Sequence, residues 1–68
     1  MNTTRLLRRP EVEQFTGLSR SSIYARMSRN EFPKPIALGG RLVAWDEADI
    51  QQWIADRIEA SKQLNKTA

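Results

Sequence analysis

The chain contains no cysteine and no histidine. That removes disulfides, Cys/His zinc sites and imidazole acid–base chemistry together. No apolar run approaches the roughly 20 residues that a membrane helix needs. The opening stretch, residues 1–9, also lacks the longer apolar core of a secretory signal. The chain therefore reads as cytoplasmic. Glycine and proline are scarce, three of each in 68 residues, so each one marks a place where the backbone changes direction. A chain of this length forms one domain, with a core near the lower limit for independent folding. The carboxylates fall at helix starts, where capping accounts for them, and no nucleophile–base pair or phosphate-binding glycine loop is recognisable. The sequence thus reads as a non-enzyme with no cofactor and no metal.

What is present is basic charge, unevenly placed. Through Trp45 there are eight Lys and Arg against three Glu, a net +5, and from Asp46 onward three basic residues face five acidic ones, a net −2. The overall +3 therefore conceals a basic part suited to a polyanion and a part suited to facing away from it.

Local signals predict three helices. Pro10 suits a first helical turn, where its missing N–H has no partner, and Glu11 and Glu13 favour the positive end of the helix dipole. Val12, Phe15 and Leu18 supply the buried side of this short helix, and Gly17 can close it in the left-handed conformation. Ser19 is a good N-cap for a second helix ending near Asn30. At 3.6 residues per turn Ile23 and Met27 share one face, with Ser21, Ala25, Ser28 and Arg29 roughly opposite. Asp46 caps a third helix whose buried face is Ile50, Trp53, Ile54 and Ile58. From Ser61 the periodicity is lost, so residues 1–60 read as the folded domain and 61–68 as a flexible tail.

Between the second and third helices, Pro33 and Pro35 hold the chain extended. Ile36–Leu38 and Leu42–Trp45 read as two short strands, with Gly39-Gly40 supplying the turn and Arg41 at or near its tip. Two strands alone are marginal. The hairpin is expected to pack on the helices through Ile36, Leu38, Val43 and Trp45, both tryptophans belonging to the core.

A helix that exposes small polar and basic groups, beside a basic-tipped hairpin, suits double-stranded DNA. Small side chains permit close approach to base edges, and arginines reach bases or phosphates. Arg20, Ser21, Tyr24 and Ser28 are assigned to the groove or its walls, with Ser22 beside them. Arg26, Arg29, Lys34 and Arg41 are assigned mainly to phosphate, Arg41 also probing the groove from the wing, and Arg8 and Arg9 can reach the backbone from the start of the first helix. Such a module covers roughly 600–1,000 Å² of DNA. Useful occupancy then calls for several copies on adjacent sites, a dimer, or a partner such as integrase or RNA polymerase. The competing reading is a protein-interaction module that docks a recombinase or polymerase through the basic face. RNA is the weaker option, because no row of aromatics is available for stacking.

Arg8-Arg9-Pro10-Glu11-Val12, Thr16 through Tyr24, Phe32-Pro33-Lys34-Pro35, Gly39-Gly40-Arg41 and Ala44-Trp45 through Trp53 together resemble the AlpA family. These are small phage- and prophage-encoded transcriptional regulators related to excisionases, with a MerR-like winged-helix fold. The resemblance covers about residues 5–58. It implies a mainly α fold with a small β-hairpin wing, a winged helix-turn-helix. It implies further that Ser19–Arg29 is a recognition helix for the major groove and Arg41 the wing residue on adjacent DNA. The role implied is a sequence-specific transcriptional regulator, or alternatively an excisionase-like factor that bends DNA for site-specific recombination. The long dimerisation coiled coil and effector domain of larger MerR-type regulators have no counterpart here.

Overall fold

The computed structural model describes residues 5–65. Its elements follow in the order β1 (Leu6–Leu7), α1 (Arg9–Thr16), α2 (Arg20–Ser28), β2 (Ile36–Gly39), β3 (Leu42–Asp46) and α3 (Glu47–Asn65). The architecture is mainly helical with a small three-stranded sheet, as a winged helix-turn-helix requires. No helix among the described residues is long and apolar enough to cross a membrane.

Capping chemistry sets the helix boundaries. Pro10 lies in the first turn of α1, and the Arg8 backbone N–H donates to the Glu11 carboxylate at 3.1 Å. Gly17, at φ 73°, ends α1 and donates its N–H to the Glu13 carbonyl at 2.8 Å. Asn30 follows α2 at φ 58°, a left-handed position that asparagine tolerates better than most side chains. The Asp46 carboxylate accepts from the Ala48 N–H at 2.9 Å and starts α3.

The sheet order is β1-β3-β2, antiparallel throughout. Residues 1–8 read from sequence as an extended or frayed lead-in with Leu6 and Leu7 available to pack, and the structure adds a strand pairing. Leu6 pairs with Asp46 and Leu7 with Trp45, so the chain's beginning is stitched to the hairpin's second strand. Residues 1–4 of that lead-in lie outside the described residues. Leu7 and Trp45 are both fully buried, and with Val12, Ile23, Phe32 and Ile50 they form the core. Trp45 also donates its indole N–H to the Pro33 carbonyl, so its one polar atom is satisfied.

The sheet order corrects the expectation for half of the hairpin. β2 is an edge strand, with β3 between it and β1. Ile36 and Leu38 are 41% and 46% exposed rather than packed on the helices, whereas Val43 on β3 packs against the core as expected, partly buried. Two helical positions depart likewise. Phe15 is 44% exposed and Ile58 51% exposed, because among the described residues little lies against that side of α1 and the far half of α3. Of the segment 61–68 read as a flexible tail, residues 61–65 continue α3, and residues 66–68 lie outside the described residues.

Candidate nucleic-acid interface

The turn between α1 and α2 is fixed by side chains acting on backbone. Thr16 donates its hydroxyl to the Val12 carbonyl at 2.8 Å and accepts the Leu18 N–H at 3.2 Å. Ser19 then accepts the Ser22 N–H at 3.2 Å, and its own hydroxyl donates to Ser22 Oγ at 3.2 Å. Four consecutive residues, Thr16-Gly17-Leu18-Ser19, thus close one helix and open the next. With Val12 and Ile23 in the shared core, α2 is held at a defined angle.

That anchoring decides what α2 presents. Ile23 is buried and Met27 packs on the core, which leaves Arg20, Ser21, Tyr24, Ala25, Ser28 and Arg29 exposed. The outward face is therefore small and hydroxyl-bearing along its centre, with arginines at its edges. Ser28 donates its hydroxyl to the Ala25 carbonyl at 2.7 Å, which leaves the oxygen available as an acceptor. The Arg20 guanidinium sits 5.8 Å from the Tyr24 ring centroid, a cation–π contact that pre-orders both side chains on this face.

The cations fall into two groups. Arg9 pairs with Glu13 and Arg29 with Glu31, each at 3.1 Å. Arg26 turns inward, its guanidinium 5.7 Å from the Trp53 ring centroid, so it docks α2 on α3 rather than pointing away with Ser21 and Ser28. Among the described residues no carboxylate pairs with Arg20, Lys34 or Arg41. Lys34 is exposed between two prolines, and Arg41 is exposed at the hairpin turn beside Gly40. Ser22 is half-buried and committed to the cap.

Arg8, read with Arg9 as a contact to the DNA backbone, is exposed and has no carboxylate partner among the described residues. Glu13 stands four residues beyond Arg9, the spacing at which helix side chains pair, and no acid occupies that place for Arg8. Chemically, the assembled surface offers hydroxyl acceptors and donors flanked by cations. Such groups suit an anionic ligand with a patterned edge of donors and acceptors. Among the described residues there is also no cluster of acidic side chains that could hold a metal ion.

Comparison with known proteins gives a family match over residues 5–58, to the family described as prophage CP4-57 regulatory protein (AlpA). The chain is 47% identical over 58 residues to the uncharacterized protein ORF88 of Enterobacteria phage P4, a match that spans 85% of this chain and 66% of that protein. It is 37% identical over 62 residues to the DNA-binding transcriptional activator AlpA of Escherichia coli K12, over 82% of this chain and 89% of that protein.

Proposed function

The chain belongs to the AlpA family of prophage regulatory proteins, and from that premise we propose that it is a sequence-reading double-stranded DNA-binding protein that regulates transcription. The observation that carries this reading is the outward face of α2, where every exposed residue is small, hydroxyl-bearing or basic apart from the Tyr24 ring. The 37% identity to a protein named as a DNA-binding transcriptional activator supports it. In this reading α2 lies in the major groove. Arg20 and Ser28 meet base edges, with Ser21 and Tyr24 on the groove wall. Lys34 and Arg8 neutralise phosphate, and Arg41 enters the adjacent groove from the wing. Arg9 and Arg29 join only when Glu13 and Glu31 release them. Arg26 holds α2 against Trp53.

The test is selection from a pool of random duplexes over several rounds, followed by titration of the winning sequence against salt. An enriched motif, with affinity that falls steeply as salt rises, is the expected outcome. Absence of enrichment, with only weak binding that modest salt abolishes, would overturn the sequence-reading role and leave the basic face to a protein partner.

A further inference from the structure

Two exposed apolar side chains of the helices, Phe15 and Ile58, lie together beside the partly buried Ile54. Phe15 on α1 and Ile54 and Ile58 on α3 line one groove, with Trp53 at its end. Ile54 and Ile58 stand four residues apart, one above the other on the same helix face. The sequence spacing of these residues is that of buried side chains, yet no other described part of the chain covers Phe15 or Ile58. The rim carries charge of one sign only. Arg26, Arg57 and Lys62 border the groove, and no carboxylate lines it.

We infer that this groove is a docking site for an acidic amphipathic α-helix from a protein partner. The cations alone would suit any polyanion, nucleic acid included. The apolar floor would not, since a phosphate backbone gives Phe15, Ile54 and Ile58 nothing to bury against. Both walls are helices, whose backbone groups are already paired internally. An extended peptide would find no strand edge to bond, whereas a helix brings a satisfied backbone and lays its apolar stripe between theirs. A second copy of this chain fits poorly, because a two-fold contact would place like cations around one shared seam.

The groove is also separate from the surface proposed for DNA. Arg26 occupies the inward flank of α2, against Trp53, while Arg20, Ser21 and Ser28 face outward. One face can hold duplex while the other holds the partner helix. This goes beyond DNA binding and does not depend on which sequence α2 reads.

The probe is a pair of fluorescent, side-chain-crosslinked helical peptides with leucine along one stripe. One carries glutamate at its remaining positions and its twin carries lysine. The glutamate peptide should bind saturably and the lysine twin should not. Ile58→Glu and Lys62→Glu should each weaken the acidic peptide at least tenfold and leave duplex affinity of the same preparations unchanged. Both positions are exposed, so both variants are expected to fold, which circular dichroism checks. No binding of the acidic peptide, equal binding of the lysine twin, or indifference to Ile58→Glu would overturn the proposal. Two further results would reassign the groove and overturn it as well. One is direct perturbation of the Phe15, Ile54 and Ile58 NMR signals by duplex DNA, and the other is self-association of the chain that Ile58→Glu abolishes.

Discussion

Trp45 donates its indole N–H to the Pro33 carbonyl at 3.0 Å across twelve positions of sequence. One bond thereby joins the second wing strand to the proline-held linker that leaves α2. Because Trp45 is also fully buried in one core with Leu7 and Ile23, the hairpin and α2 are positioned by the same side chain. Trp45→Phe keeps an aromatic ring but leaves the Pro33 carbonyl unpartnered, a loss of about 1–3 kcal/mol. Trp45→Ala adds a cavity and costs about 3–5 kcal/mol, enough to leave a domain of ordinary stability largely unfolded. Urea unfolding followed by circular dichroism separates the two. A Trp45→Phe variant as stable as the parent would mean that the bond contributes nothing to holding the wing.

Ser19→Ala removes the acceptor that holds the Ser22 N–H and should cost about 1 kcal/mol. That corresponds to roughly 4–8 °C in Tm for a domain of this size. Ser19→Asp keeps an acceptor and places negative charge at the positive end of α2, so it should match or exceed the parent. Thermal melts of the three proteins decide it. An alanine variant that melts with the parent would show the cap to be redundant with core packing.

These caps were legible in the sequence because capping is local chemistry. Ser19, Gly17, Asp46 and the Gly39-Gly40 turn each act within a few residues of themselves. What depends on distant partners was not legible. Leu6-Leu7 is too short to display strand alternation, and its pairing with Asp46 and Trp45 is a tertiary event. Helical spacing placed Phe15 and Ile58 on the inward faces of α1 and α3, but spacing does not say whether anything lies opposite. Ile36 and Leu38 are apolar and invite packing, but which strand lies at the sheet's edge is decided by pairing with β1 and β3, and β2 takes that place. Arg26 reads from sequence as one more phosphate cation, and its place over the Trp53 ring is set by how α2 meets α3. In each case the residue's chemistry was read correctly and its neighbour was not.

Gly39, at φ 128°, is in a backbone region that side-chain-bearing residues avoid, and a Cβ placed there would meet nothing within 4 Å. The cost of Gly39→Ala is therefore conformational strain without a clash, about 1–3 kcal/mol. Since the strain sits at the hairpin turn, the loss should appear as faster hydrogen exchange at β2 and β3 amides ahead of α1 and α2. Gly40, at φ 55°, lies in the left-handed region, and Gly40→Asn should be tolerated. Uniform acceleration of exchange across the domain in Gly39→Ala would show that the wing does not open by itself.

Glu31→Gln should free Arg29 from its partner. The Trp53 indole bonds the Glu31 backbone carbonyl, which the substitution leaves in place. An exposed ion pair of this kind contributes about 0–1 kcal/mol, so stability should barely move. Affinity for random duplex should rise, and the slope of log K against log salt should steepen by about one, near the 0.9 expected per added phosphate contact. Fluorescence anisotropy at several salt concentrations measures both. An unchanged slope would place Arg29 away from the DNA backbone.

Arg20 and Lys34 are both exposed cations without carboxylate partners among the described residues, yet they should respond differently to truncation. Arg20 is held over Tyr24 at the start of α2, where a side chain ordered before binding can read a base edge. Lys34 stands on the linker and carries a point charge without a fixed fork. Arg20→Ala should therefore narrow the gap between the selected site and random duplex by about 1–3 kcal/mol, roughly five- to 150-fold. Lys34→Ala should weaken all duplexes alike and lower the salt slope by about one. Paired titrations of specific and random DNA distinguish the two patterns. If both variants lose affinity equally for both duplexes, Arg20 is a phosphate contact, and base reading falls to Ser21, Tyr24 and Ser28 or to the wing.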